Sequence, residues 1–435
     1  MDTVVVYSPV ISPRLQYVVA WVLGERLQLK YRLEKEKEAV ADARYLISYG
    51  QVFVNSVSVP RASLMTEKGV QVAAPPRGEW DELPTIYADA ATNYSLPFDI
   101  FSAVFYLITR YEEYYAYTPD KHGRYPATNS ILHKNGWLQR PIVDEWIEAL
   151  RLHLQDAFGI NIARQPFRFR PTYDIDMAYS LLHKGFRRIA GAYARALMRV
   201  DLKQISLRTQ VLRKKKKDPY DAFRWMRQVH KAYGVVPLYF VLSAERTTRF
   251  DKNIHPLHPA MVRVIKNLVK EGHIGIHPSY YSAADDVLQR EKAMLEKVAG
   301  CTTSVSRQHY IKATMPGTYR MLLANNIAED YTMGYGTHLG FRAGTGNSFL
   351  WYDLERESVT ALRIFPFCFM DTTAHYEMGL STMQAFEQLQ AMTRLLEQTG
   401  SLLITVFHNF SLGTDEEWRG WRQAYELFVH NKASR

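Results

Sequence analysis

Cysteine is nearly missing from this chain: Cys301 and Cys368 are the only two in 435 residues. That is too few for a disulfide framework or a cysteine-based zinc site, and it favours a reducing, cytoplasmic setting. No apolar run is long enough to cross a bilayer, so no transmembrane segment is expected. The opening "MDTVVVYSPVISPR" lacks a basic segment followed by an apolar stretch, and no signal peptide is expected. Neither a repeat period nor a low-complexity tract occurs. What is present is 47% hydrophobic and 23% charged residues. That is the composition of a soluble globular protein, at a length that predicts two or more domains.

The net charge is +10, with a pI near 9.3. Such a balance admits acidic partners. Five basic residues stand together in "LRKKKKD" (212–218), for which an exposed, solvated loop is the ordinary reading. With no interleaved aromatics and no motif that reads RNA or DNA, nucleic-acid binding is not expected. Docking to a membrane or an anionic glycan has no further support in the sequence.

The first part of the chain mixes short strands and helices. "TVVVYS" and "ARYLISYGQ" read as strands, and "RLQYVVAWVLGERL" has helical spacing. Residues 97–115 form the clearest helix, opened by a proline with an aspartate in the first turn. "TPDKHGRYPATNS" is a loop by composition. Its His122 and Arg124 could contact a ligand, although a lone loop histidine is more often idle. Residues 141–159 predict a second helix with a glycine stop.

"INIARQPFR" reads as a linker, which puts a domain boundary near residue 165. The smaller α/β N-terminal domain is then 1–165, and 166–435 is the second domain. In the latter, strands alternate with helices. The strands are "FRFRPTYDID" (167–176), "VVPLYFVLS" (235–243), "GHIGIHPS" (272–279) and "SLLITVFHN" (401–409). This predicts an α/β architecture with a parallel sheet, at a length that suits a barrel.

Parallel barrels gather ligand groups at the C-terminal ends of their strands. Those ends carry Asp174, Asp176, His277 and His408. Each alone has a plain alternative, as a helix cap or a hydrogen-bonded core histidine. Side chains 174 and 176 share a strand face. Two carboxylates that close repel unless a cation or a shared proton offsets them. His273 and His277 are four apart in a strand, roughly 13 Å, so one ion cannot take both without a turn.

With those motifs in hand, residues 170–408 resemble a polysaccharide deacetylase domain of the NodB-homology type (carbohydrate esterase family 4). "TYDID" is similar to that family's first motif and "EGHIGIHPSYYS" to its second. "LLITVFHN" resembles the last, and "SRQHY" and "GFRAGT" look like the arginine-bearing motifs between. Together with "LPFDIFSAVFYLITRYEEY", the whole chain resembles a two-domain bacterial subgroup whose N-terminal domain has no assigned function.

The resemblance implies a deformed (β/α) barrel that hydrolyses an N-acetyl group from an amino sugar, so an N-acetylated glycan is the expected substrate. Carried over, Asp174 is the general base, Asp176 the metal carboxylate, His277 the first metal histidine and His408 the general acid. Arg307 holds the base or the substrate. A divalent metal is implied, zinc by expectation, which polarises the acetyl carbonyl.

The sequence departs from the family at two places. Tyr281 stands where the second metal histidine usually is, and the glutamate before His277 is missing. A site with two protein ligands would bind metal poorly. His309 in "SRQHY" is the preferred third ligand, and Tyr281 as an oxygen ligand or no metal at all are the competing readings. Tyr281 and Arg342 are candidate substrate-binding residues. Phe349, Trp351 and Tyr352 could stack on a sugar or pack in the core, and Asp371 could be a supporting rim carboxylate. A barrel that binds carbohydrate or scaffolds polysaccharide biosynthesis without turnover is the alternative function.

Overall fold

The computed structural model describes residues 3–90, 93–284 and 286–433. Four short strands form a parallel sheet in the order β2-β1-β3-β4: β1 (Val4–Tyr7), β2 (Tyr31–Glu34), β3 (Leu46–Tyr49) and β4 (Ser56–Val59). The central strand β1 is buried throughout. That is why it reads as an unbroken "VVVY" and not as an alternation: a parallel strand covered on both faces needs no polar side. Strands β5 (Arg77–Trp80) and β6 (Leu83–Ile86) make an antiparallel hairpin. Its two connecting residues, Asp81 and Glu82, both have positive φ, as a two-residue turn of this twist requires.

The helix expected over 97–115 is shorter. It runs Ile100–Ile108 with Asp99 as its N-cap, not in its first turn. The chain then turns left-handed at Arg110, φ 55°, and continues as a single 3-10 turn, Tyr111–Tyr114. Burial of charge accounts for the break. Arg110 is 1% exposed and bonds Glu112 and Glu113, and Glu113 in turn takes two bonds from Arg342. The second expected helix is Ile142–Phe158, closed by Gly159 at φ 63°.

The larger sheet has nine strands. In chain order they are β7 (Arg168–Ile175), β8 (Leu238–Leu242), β9 (His273–His277), β10 (Val305–Ser306), β11 (Glu329–Asp330), β12 (Phe349–Asp353), β13 (Ser358–Ile364), β14 (Phe369–Met370) and β15 (Leu402–His408). Their order in space is β12-β13-β11-β10-β9-β8-β7-β15-β14, parallel except for β12 against β13. Among the described residues no pairing joins β14 to β12, so the hydrogen-bonded order is that of an open sheet. The sheet is nevertheless strongly curved. In a flat sheet β10 and β15 would stand about 19 Å apart. Yet His309, just beyond β10, and His408, at the end of β15, both lie within 3.5 Å of the same carboxylate oxygen of Asp176.

The period of β7 sorts its side chains. Tyr173 and Ile175 face helices and are fully buried. The Tyr173 hydroxyl bonds His230 in the helix Phe223–Tyr233 and Tyr425 in the helix Trp421–Ala433. Asp174 and Asp176 take the other face. Pro171, which has no N–H, is paired only with β15, because the β8 ladder starts one residue later at Thr172. On β9, Gly275 is required: a Cβ there would lie 2.8 Å from the Phe240 ring.

The first part of the chain packs directly on β12 and β13. Tyr17 Oη donates to the Leu350 carbonyl, Trp21 Nε1 to that of Ser348, and the Arg14 guanidinium to Glu357. Phe349, Trp351 and Tyr352 are core residues of this contact, each no more than 2% exposed. Among the described residues no helix is long and apolar enough to cross a membrane.

Candidate functional site

A cavity of about 250 Å³ opens at the C-terminal ends of the larger sheet's strands, lined by Asp174, Asp176, His277, His309 and His408 among others. Asp176, His277 and His309 form a group whose ligand atoms all lie within 4.8 Å of one another and could hold a metal ion.

The three histidines are oriented alike. His277 Nδ1 lies 2.6 Å from the Arg307 carbonyl, which can only accept, so Nδ1 carries the proton. His309 Nδ1 donates to Asp251 (3.0 Å) and His408 Nδ1 to Asp371 (2.6 Å). In each ring Nε2 is thereby turned to Asp176, at 3.2, 3.4 and 3.5 Å respectively. Outer acceptors that fix the tautomer in this way are a feature of metal-ligating histidines.

Asp176 Oδ1 is buried and has no hydrogen-bond donor among the described residues. Its nearest neighbour, the His277 Nε2, offers a lone pair, so the two atoms must share a cation or a proton. The donor set, one carboxylate and two imidazoles, matches the three-ligand sites of catalytic zinc. The residues fit a divalent ion.

Burial and charge compete here. Burial opposes ionisation of Asp176, but the adjoining imidazoles, His309 foremost, hold it well below the usual carboxylate range. Burial likewise opposes charging of His309, yet Asp176 and Asp251 raise it to about 9. His408 is raised to about 9 by Asp371 and Asp176 against the same burial.

Asp174 and His408 stand beside the group. Asp174 Oδ2 is 3.8 Å from His277 Nε2, and its Oδ1 accepts from Arg307 Nη1 at 2.8 Å. Arg307 is fully buried, stacked 4.3 Å over the Phe240 ring for which Gly275 leaves room, and its Nε donates to the Tyr331 carbonyl. A single residue thus orients the Asp174 carboxylate with its side chain and the His277 ring with its carbonyl. Asp371 holds His408 through both oxygens, accepting the backbone N–H of His408 and the Ser411 hydroxyl as well.

The cavity brings together six of the eight site residues the sequence singled out: five line it, and Arg307 reaches it through Asp174. Tyr281 is half exposed and outside the metal-binding group. Arg342 does not line the cavity; its guanidinium is spent on Glu113 and the Gly334 carbonyl. His273 sits exposed at the far end of β9.

Asp251 is the contribution that sequence reasoning misses: it lies in a loop after β8 with no motif around it. His122 and Arg124, the loop residues that could contact a ligand, form part of the cavity wall. His122 Nδ1 meets the Tyr280 hydroxyl at 3.1 Å and Arg124 Nη1 donates to the Tyr310 carbonyl at 2.7 Å. Tyr310 and Ile311 both have positive φ, a strained pair that immediately follows His309.

Residues 4–159, about a third of the chain, match a family of unknown function, DUF7033. No curated protein matches the chain. Among solved structures it is similar to a candidate polysaccharide deacetylase from Mycobacterium smegmatis, at 16% identity and a TM-score of 0.40 over 62% of this chain and 85% of that one. The polysaccharide deacetylase Bc1974 from Bacillus cereus is similar at 9% identity and a TM-score of 0.31, over 61% of this chain and 88% of that one. The PuuE allantoinase is similar at 12% identity and a TM-score of 0.40, over 62% and 85%.

Proposed function

We propose that the protein is a metal-dependent hydrolase that removes an N-acetyl group from an amino-sugar-containing glycan or glycan precursor. The observation that carries this is the convergence of three Nε2 atoms on Asp176, with a clamped carboxylate and a clamped imidazole alongside. Asp176, His277 and His309 would hold the ion, and zinc suits a site of two imidazoles and one carboxylate. When bound it would supply Lewis acidity, which makes water nucleophilic near neutral pH and polarises an amide carbonyl.

Asp174, oriented by Arg307, takes the proton of the attacking water. His408, turned by Asp371, returns a proton to the departing nitrogen, because an amine leaves only once protonated. The partly exposed Tyr310 ring in the cavity wall suits the apolar face of a sugar. Tyr281, at 6.1 Å from Phe250, would meet a longer glycan at the outer edge.

This reading takes the curved sheet as the wall of a deformed (β/α) barrel, with a domain boundary near residue 165. His122 and Arg124 then reach across that boundary, giving the N-terminal domain a part in substrate selection. Three ligands are available without Tyr281, and for that reason we favour hydrolysis over a carbohydrate-binding or scaffolding barrel without turnover.

The test is acetate release from N-acetylated oligosaccharides by the metal-reconstituted protein. Asp174→Asn should lower the rate about 10²- to 10⁴-fold with metal content unchanged. Equal rates in wild type and variant would remove Asp174 from this role. Failure to take up stoichiometric metal would sink the metal-dependent reading.

A further inference from the structure

Between β7 and the helix Phe223–Tyr233 the chain makes a detour through two helices, Phe186–Met198 and Leu202–Leu212, which pack on one another as a hairpin. Tyr193 Oη meets Thr209 Oγ1 at 2.9 Å between them. The first helix buries no residue at all, and the second buries only Val211.

Four of the six residues at the hairpin's tip are apolar and stand in water, with Arg199 and Asp201 between them. Leu197 is 68% exposed, Met198 76%, Val200 75% and Leu202 67%. Val200 makes the turn at φ 53°, a conformation that a β-branched residue rarely adopts. Further back, Phe186 is 85% exposed. It shares one helix face with Ala190, Ala194 and Leu197, which follow it at helical spacing. Scattered exposed apolar residues are ordinary, but five large ones within 17 positions are not.

Charge is concentrated on the same element. Residues 184–217 contain twelve Lys and Arg against Asp201 alone, a net +11 where the whole chain carries +10. The remainder of the protein is therefore at −1. The "RKKKK" block follows this hairpin's second helix directly, from its C-cap Arg213 into the exposed turn beyond.

We propose that this hairpin docks the protein on a membrane surface rich in anionic phospholipid, with the Leu197–Leu202 tip entering the acyl boundary and the basic residues meeting the headgroups. An exposed apolar tip with a basic flank is what an interfacial element needs. On a nucleic acid the same aliphatic side chains would stay in water, unmatched by any base-stacking partner.

The hairpin is tied at its base. Asp218, 3% exposed, accepts the backbone N–H groups of Ser180, Leu181 and Leu182 and so clips its two ends together. The incoming strand is the one that delivers Asp174 and Asp176, so docking would tether the cavity's end of the sheet to the lipid surface. The inference stands on the hairpin alone and does not depend on the proposed reaction.

The experiment is co-sedimentation of the full chain with vesicles of phosphatidylcholine alone or mixed with phosphatidylglycerol. Binding is expected only to the mixed vesicles and should weaken as salt rises. Two variants, L197S/M198S/V200S/L202S and K214Q/K215Q/K216Q/K217Q, should each lower partitioning by about tenfold or more. Their circular dichroism should match wild type, since the altered side chains point into water. Wild type remaining in the supernatant with both vesicle types overturns the proposal. So does equal binding by wild type and the tip variant. Retention on duplex DNA or RNA without vesicle binding would assign the hairpin to nucleic acid instead. A dimer in light scattering that the tip variant dissolves would assign the tip to a second copy of this chain.

Discussion

Asp251 is the sharpest test of the metal centre, because it touches no ligand position except through His309. Its Oδ1 accepts from His309 Nδ1 at 3.0 Å and from the Tyr280 N–H at 3.0 Å, and its Oδ2 from the Thr248 hydroxyl at 2.9 Å. The residue is 1% exposed. In Asp251→Asn one oxygen can keep the His309 and Tyr280 bonds, so the ring stays in place while the charge behind it is lost. A neutral acceptor makes the opposite ring nitrogen a weaker donor to a metal. Loss of such a partner weakens metal affinity by about 10- to 100-fold, or about 1.4 to 2.8 kcal/mol. His309→Ala, which deletes the nitrogen itself, should lose more, whereas Tyr281→Phe should lose nothing. The assay is competitive titration of zinc against a chromophoric chelator, with circular dichroism to check the fold. If the Asp251→Asn and wild-type curves superimpose, His309 is not a ligand and the three-residue site is wrong. A weakened site in Tyr281→Phe would return the phenol to the coordination sphere.

Glu113→Ala removes the carboxylate between two buried guanidiniums, Arg110 and Arg342, and should destabilise the protein by about 3 to 5 kcal/mol, read from the midpoint of urea unfolding. An unchanged midpoint would mean that the network is solvated in solution. His230 is lowered to about 4 by burial, so it stays neutral in the folded chain where the unfolded one binds a proton. Its contribution is fully present above pH 6.5 and is lost as pH falls toward 4, on the order of 3 kcal/mol. Unfolding at pH 7 and pH 4.5 should therefore separate wild type from His230→Gln, which lacks that dependence; parallel curves would refute it. In Gly336→Ala the new Cβ would fall 2.2 Å from Arg124 Nη1 and push the guanidinium off the Tyr310 carbonyl. KM should rise several-fold with kcat within roughly twofold, as expected when only substrate contacts are lost. An unchanged KM would take Arg124 out of the cavity wall.

Local chemistry was legible in the sequence wherever a strand carried its own signal. The alternation in "FRFRPTYDID" put Asp174 and Asp176 on one face, and β-branched runs ended in His277 and His408. Those features follow from a period of two and from burial, which a short stretch of chain sets for itself. The same reasoning failed where distant residues compete. Spacing over 97–115 predicts too long a helix because nothing in that stretch reveals that Arg110 must leave the helix to meet buried partners. The sequence shows that His122 could contact a ligand but not what it meets, because its neighbour Tyr280 lies 158 positions away.

What the sequence determined by itself, then, was which residues could do chemistry and which face each would take. Only the tertiary structure decided how they meet. Curvature of a nine-strand sheet brings His309 and His408 to one carboxylate, and a loop aspartate turns the His309 ring. Packing of two helices leaves the chain's positive charge and an apolar tip on one hairpin. The first two depend on contacts between segments far apart in the chain, which no local pattern encodes; the hairpin is a local element, and only its exposure is set by the fold.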